Sequence, residues 1–173
     1  MFRRTEIRDV MRRELYIFCA ALLMSLALSL SGTAHAQNIP IGKRIPDVRP
    51  QEWLNGERPV REAKLTCIEF FHPSSKRSRT NLEHLKFLAG EFLHRDFQVV
   101  VIAAGDEETV RTELTPYTDE GLAVGLDTDN ACFKAFGVTY LPACVIIDEQ
   151  KRTIWTGDSK LLTQRLINDL KHQ

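Results

Sequence analysis

The pattern of apolar and polar positions begins, after the N-terminal region, with a short apolar run and a helical repeat. Lys64–Phe71 is dense in apolar residues and predicts a buried strand. His72-Pro73-Ser74-Ser75 ends that strand, since proline cannot continue a strand ladder, and Ser75 or Ser78 is placed to cap a helix. The apolar positions that follow recur every three or four residues and predict one apolar helix face: Leu82, Leu85, Leu88, Ala89, Phe92 and Leu93.

The middle of the chain continues to alternate between strands and helices. Phe97–Ala104 is nearly all apolar, as expected of a strand that is covered on both faces. Residues 107–119 predict a weaker surface helix and residues 122–126 an extended segment. Residues 130–136 predict a short helix that Gly137 ends.

The C-terminal part predicts a hairpin and a final helix. Ala143–Ile147 and Arg152–Thr156 flank a short polar turn and predict two antiparallel strands. Asp158 or Ser159 is placed to cap a last helix. The apolar face of that helix comprises Leu161, Leu162, Leu166, Ile167 and Leu170. The order of elements predicts an α/β fold, with a central mixed sheet flanked by helices.

The N-terminal residues have a different pattern, which is typical of a secretory signal peptide. Five arginines precede an apolar run at Leu15–Leu30, and small residues follow up to Ala34-His35-Ala36. The run has 16 residues, whereas a helix needs about 20 to span a bilayer. We therefore predict export to the periplasm with cleavage after Ala36, and an uncleaved membrane anchor is the alternative. Translation starts at Met1 or at Met11.

Composition places the exported chain among ordinary globular proteins. Without its first 36 residues it carries 18 basic and 20 acidic side chains, a balance that predicts no nucleic-acid partner. It keeps Cys67, Cys132 and Cys144, and because three is odd, at least one thiol is free or pairs with another chain. The histidines and cysteines lack the spacing of metal ligands, so we expect no metal site and no cofactor. The predicted organisation is a signal peptide at 1–36, an N-terminal arm at 37–63 and one domain at 64–173.

Several segments resemble the thioredoxin-like superfamily, in its exported TlpA/ResA-like (redoxin) branch. Ile45-Pro46-Asp47 is similar to the opening of that family, and Glu69-Phe70-Phe71 falls where the family has the strand that enters its active site. Gly137–Pro142 is the most specific match. The resemblance implies a thioredoxin-like fold for residues 64–173, with a cis proline at Pro142 that faces the active site.

The chain departs from the family where redox-active members carry Cys-x-x-Cys at the start of the first helix. The matching residues here are Ser75-Lys76-Arg77-Ser78. The nucleophile in thiol–disulfide exchange is a thiolate, and a serine hydroxyl neither ionises near neutral pH nor forms a disulfide. We therefore predict no dithiol exchange at Ser75 and Ser78. A hydrolytic Ser75 activated by His72 and Glu69 is disfavoured, because such chemistry also needs a separate oxyanion site.

The remaining cysteines define the alternative function, a thiol–disulfide or peroxide-type oxidoreductase that relies on one thiol, Cys132 or Cys144. Cys144 follows Pro142 by two residues, and Cys132 falls on the predicted short helix, where a side chain can reach solvent. We favour a role as small buried apolar residues for Cys67 and Cys144. A bridge between two of the cysteines would need Cα atoms within about 7 Å, and the sequence leaves that pairing open.

Cations surround the predicted helix start. Lys76, Arg77 and Arg79 are unfavourable at a helix N-terminus because of the helix dipole, which points to a use for them. We predict that these cations and the loop Tyr140-Leu141-Pro142 form a groove that binds an extended, acidic segment of a partner protein. A solvated run of charge is the alternative.

Glu69 is the remaining candidate site residue. The resemblance implies a buried acid near this position, which in the family manages the proton of the second cysteine. Since that cysteine is missing, we favour a Glu69 that pairs with Lys76, Arg77 or Arg79, or that faces solvent.

The leading functional prediction is a periplasmic binding or chaperone-like assembly factor without redox activity. Its partner is expected to be another periplasmic protein or an extended protein segment. Contact with the membrane is expected only through the signal peptide, if that is not cleaved.

Overall fold

The computed structural model describes residues 39–56, 62–92, 96–118 and 121–172. The predicted signal peptide and its cleavage position after Ala36 lie outside the described residues. Within the described ranges, no helix combines the length and the apolar character that a membrane crossing requires.

Six strands form one mixed sheet in the order β1-β4-β3-β2-β5-β6. The strands are β1 (Glu52–Trp53), β2 (Leu65–Phe71), β3 (Phe97–Ala103), β4 (Ala123–Leu126), β5 (Ala143–Ile147) and β6 (Thr153–Gly157). β2, β3 and β4 run parallel, whereas β5 is antiparallel to both β2 and β6, and β1 is antiparallel to β4. The predicted α/β class, the central mixed sheet and the C-terminal hairpin are confirmed.

Helices cover both faces of this sheet. They are α1 (Lys76–Glu91), α2 (Glu107–Thr118), α3 (Ala131–Ala135) and α4 (Gln164–Leu170). Since side chains alternate along a strand, Cys67 and Phe71 of β2 share one apolar core with α1, α2 and α4. Ile68 and Phe70 share the other core with α3 and with Ile39 of the arm.

The last helix begins later than predicted. Ser159–Leu161 forms a single 3-10 turn, and the backbone is extended at Leu162. Thr163 then caps α4, because its Oγ1 accepts a hydrogen bond from Leu166 N at 3.1 Å. Leu162 is buried while Leu161 is exposed, so the two leucines do not belong to one continuous helical face.

Candidate functional site

The candidate site lies at the carboxyl end of β2, where three loops meet. β2 pairs antiparallel with β5, so loop 72–75, which follows β2, lies beside loop 139–142, which precedes β5. The loop after β3 reaches the same edge, since Ala104 N donates a hydrogen bond to Phe71 O at 2.9 Å. The carboxyl end of parallel strands is also where ligands commonly bind in open α/β sheets.

Gly105 allows two of these loops to approach closely. Its φ of +125° lies in a region that side chains rarely adopt. A Cβ at this position would lie 2.9 Å from Pro73 Cδ and 3.3 Å from His72 Nε2. A larger residue would therefore push the loop after β3 away from loop 72–75.

Loop 139–142 carries the predicted cis proline. The Leu141–Pro142 peptide bond is cis, as the resemblance implied. Pro142 is buried and Leu141 half-buried, whereas Tyr140 lies at the surface. Of the three residues of this loop that were predicted to line the groove, Tyr140 is thus the most accessible.

Ser75 and Ser78 form the N-terminal cap of α1. Ser75 Oγ accepts hydrogen bonds from Ser78 N at 3.2 Å and from Ser78 Oγ at 2.9 Å. This arrangement satisfies a backbone N–H group that the first helical turn leaves without a partner. The His72 ring is engaged elsewhere, since its Nδ1 accepts from Ser74 N at 3.1 Å. The serines of this junction therefore serve the helix start.

Acidic side chains engage two of the three predicted cations. Arg77 Nη2 donates to Asp158 Oδ2 at 2.6 Å. Arg79 donates to both carboxylate oxygens of Glu113, at 2.8 Å each. Lys76 is exposed at the first position of α1. Exposed ion pairs contribute little to stability, so these arginines can exchange partners at low cost.

Glu69 is fully buried between β2 and α1, which corrects the prediction that it pairs with a cation or faces solvent. Its Oε1 lies 3.5 Å from Asn81 Nδ2, and its Oε2 has no hydrogen-bond partner among the described residues. Burial raises the pKa of Glu69 to about 8, against smaller lowering effects of the Ser159 and Asn81 side chains. The carboxyl group is therefore mostly protonated at neutral pH. The two arginines pair with other acids, Arg77 with the partly buried Asp158 and Arg79 with Glu113.

Cys132 is buried, with 3% of its surface exposed, which corrects the expectation that it reaches solvent. Asp127 holds α3 against the sheet, because its carboxylate accepts hydrogen bonds from Cys132 N at 2.9 Å and from Phe133 N at 3.0 Å. Burial raises the pKa of Cys132 to about 11. This thiol is therefore protonated at neutral pH and enclosed by the second core.

Cys67 and Cys144 are free thiols in the first core, as their predicted role as small buried residues requires. Their Sγ atoms lie 3.1 Å apart. Burial raises the pKa of Cys144, and the adjacent Cys67 thiol adds to the shift. Cys144 also lies directly opposite Glu69 in the strand register.

The polar neighbours of Glu69 were not predicted from the sequence. Asn81 lies one helical turn before Leu85 and two turns before Leu88, so it interrupts the apolar face of α1. Its Nδ2 also donates to Asp158 Oδ1 at 2.7 Å. A polar residue at a position of the apolar helix face was the signal in the sequence that could have predicted this contact. The Cys67–Cys144 contact had no comparable signal, because it depends on how two distant strands align.

The fold and the cis-proline loop define a thioredoxin-like architecture, and solved structures agree. No protein-family model and no curated protein sequence matches the chain. The thioredoxin domain of a thiol-disulfide oxidoreductase from Bacteroides vulgatus superposes with a TM-score of 0.63 at 13% identity, over 78% of this chain and 98% of that one. For a thioredoxin-like protein solved in its oxidised form, the TM-score is 0.62 at 18% identity, over 75% of this chain and 95% of that one.

A secreted disulfide oxidoreductase from Mycobacterium tuberculosis is also similar. Its TM-score is 0.51 at 15% identity, over 64% of this chain and 82% of that one. At these identities the likeness establishes the fold, and the chain has the thioredoxin-like fold that its resemblance implied.

Proposed function

We propose that this chain is an exported periplasmic protein that binds an extended segment of another protein between the start of α1 and loop 139–142. It acts there as a binding or assembly factor and performs no dithiol exchange. The observation that carries the proposal is the Ser75–Ser78 cap at the start of α1. The resemblance implies that redox-active members of the family carry their two cysteines at these positions. Hydroxyls at this position cannot support exchange.

The surface at this junction suits an extended acidic segment. Tyr140 supplies an exposed aromatic ring beside the buried Pro142. Lys76 and Arg77 place positive charge at the start of α1, and Arg77 is 72% exposed in its pair with Asp158. A carboxylate on a partner can displace Asp158 or bind Lys76, since exposed pairs exchange readily. Complementary charge of this kind gives orientation and a fast association rate.

Export is supported by the N-terminal pattern of arginines, apolar run and small residues. One of the similar structures is described as a secreted protein. A signal peptide that is cleaved after Ala36 would release the chain into the periplasm. N-terminal sequencing of the recovered protein tests that cleavage position.

The alternative function, an oxidoreductase that relies on one thiol, is opposed by burial. Both Cys132 and Cys144 are enclosed, and burial raises the pKa of each thiol. A reactive cysteine needs an accessible thiolate. The alternative is still worth testing because two of the similar structures are described as oxidoreductases.

The test of redox function compares the full chain with a Ser75→Cys/Ser78→Cys double variant in a dithiothreitol-driven insulin-reduction assay. A Ser75→Ala/Ser78→Ala double variant is the matched control. We expect the wild-type chain and the alanine control to be inactive and the cysteine variant to be active. Activity in the wild-type chain would show that one of its own thiols carries the chemistry.

The test of binding uses a synthetic ten-residue acidic peptide and amide chemical shifts of the chain. We expect shifts confined to the start of α1 and loop 139–142, with weaker binding in Lys76→Ala and Tyr140→Ala variants. Lys151→Ala removes an exposed cation at the far end of the β5–β6 hairpin and should leave binding unchanged. Shifts located elsewhere, or equal losses in all three variants, contradict the proposed surface.

A further inference from the structure

Two buried thiols that the candidate site does not use lie in direct contact. Cys67 Sγ and Cys144 Sγ are 3.1 Å apart, and both side chains are fully enclosed in the core beneath α1. The sulfur–sulfur bond of a disulfide is about 2.05 Å long, so only about 1 Å separates this pair from bonding distance.

The register of the strands explains the contact. Cys67 lies opposite Ile146, and Cys144 lies opposite Glu69, so the two cysteines are diagonal neighbours on one face of the β2–β5 pair. Diagonal Cα atoms are usually about 7–8 Å apart, at or just beyond the limit of about 7 Å for a disulfide, so the bond also requires the two strands to move slightly closer together. The short sulfur contact means that both side chains already turn toward each other. A shift of about half an ångström from each side would close the gap.

We propose that Cys67 and Cys144 form a disulfide that ties β2 to β5 when the chain folds in an oxidising compartment. The oxidant is a disulfide donor RSSR. The Cys67 and Cys144 thiols each lose a proton and together lose two electrons, one S–S bond forms between them, and RSSR is reduced to two RSH. The inference rests on the proposed export only for the source of this oxidant.

Burial determines when the bond can form. In the folded chain neither sulfur is accessible, and the enclosed Cys144 thiol is held in its unreactive protonated form. Exchange must therefore occur during folding, once β2 and β5 pair and before α1 covers them. The bond would connect residues 77 positions apart in the sequence, and a link across such a long loop restricts the unfolded chain.

The experiment refolds the full chain from urea with oxidised glutathione as the disulfide donor, in a Cys19→Ser variant so that Cys67, Cys132 and Cys144 are the three thiols present. Linked peptides are identified by mass spectrometry after digestion. We expect one linked pair, which contains Cys67 and Cys144. The urea midpoint of the oxidised chain should exceed that of the reduced chain, and dithiothreitol should reverse the increase. Cys132 is the internal control, since it lies in the core on the other face of the sheet and should remain free.

A Cys67→Ala variant should lose both the linked pair and the redox dependence of its urea midpoint. If this variant does not fold, the peptide map of the Cys19→Ser chain still decides the question. A chain with native circular dichroism would overturn the proposal if Cys67 and Cys144 were both free, if both were bound to glutathione, or if either one were linked to Cys132. Because the assay supplies the oxidant and uses no partner peptide, its failure leaves the proposed binding function untouched.

Discussion

Replacing Glu69 with glutamine removes a buried acidic group while nearly preserving its shape. The amide oxygen can keep the contact with Asn81, and the amide nitrogen gains hydrogens to donate. The Ser159 side chain is close enough to lower the pKa of Glu69. Its Oγ can accept one of these hydrogens, since neither it nor Glu69 Oε2 has a partner with hydrogen-bond geometry among the described residues. The substitution therefore isolates the effect of ionisation at this position.

The sign of the effect follows from the pKa. Burial raises the pKa of Glu69 from 4.5 to about 8, so between these pH values the folded chain keeps a proton that the unfolded chain releases. Its contribution to stability is fully present below pH 4.5 and is lost as the pH rises to about 8. Each pKa unit corresponds to about 1.4 kcal/mol, so the total loss is about 5 kcal/mol. Glutamine does not ionise and avoids this loss.

The assay is urea unfolding of the wild-type chain and the Glu69→Gln variant under reducing conditions, at about pH 5, pH 7 and pH 9. The free energy of unfolding of the variant should gain about 4 kcal/mol relative to wild type between the first and last pH. Glu149→Gln removes a carboxyl group from an exposed turn and is the matched control, which should show no such trend. A difference between Glu69→Gln and wild type that stays constant with pH would refute the reasoning.

Three further predictions test the fold by urea unfolding, and two of them include a comparison variant. Ser75→Ala should lose about 1 kcal/mol by removing the cap of α1, whereas Ser75→Asp keeps a capping oxygen; equal losses would contradict the cap. Leu85→Ala should lower the free energy of unfolding by about 2–5 kcal/mol because Leu85 is buried. Phe87→Ala should lower it by less than about 0.5 kcal/mol because Phe87 is exposed. If α1 were rotated so that Phe87 faced the core, the order of the two losses would reverse. Asp127→Ala leaves two N–H groups of α3 without their acceptor, so the free energy of unfolding should fall by about 1–3 kcal/mol. Cys132 should also be alkylated faster, because Asp127 no longer holds α3 over it. An unchanged alkylation rate would contradict this role of Asp127.

The order and type of the elements were predictable because their signals are local. Lys64–Phe71 and Phe97–Ala104 are apolar runs that become the two central strands, and the repeat from Leu82 to Leu88 becomes the buried face of α1. The C-terminal helix shows where a local sequence pattern fails to predict the structure. Residues Leu161 and Leu162 continue the apolar pattern, yet only Leu162 finds a place in the core.

The sequence by itself determined the α/β class, a serine cap at Ser75 or Ser78, and the resemblance that implied a cis bond before Pro142. Only the tertiary structure decided that Glu69 is buried and that Cys67 touches Cys144. The first outcome depends on the packing of α1 over this face of β2. The second depends on the register between β2 and β5, which are separated by more than 70 residues in the chain. Local periodicity indicates which face of a strand a residue occupies, but pairing between distant strands determines which residue lies beside it.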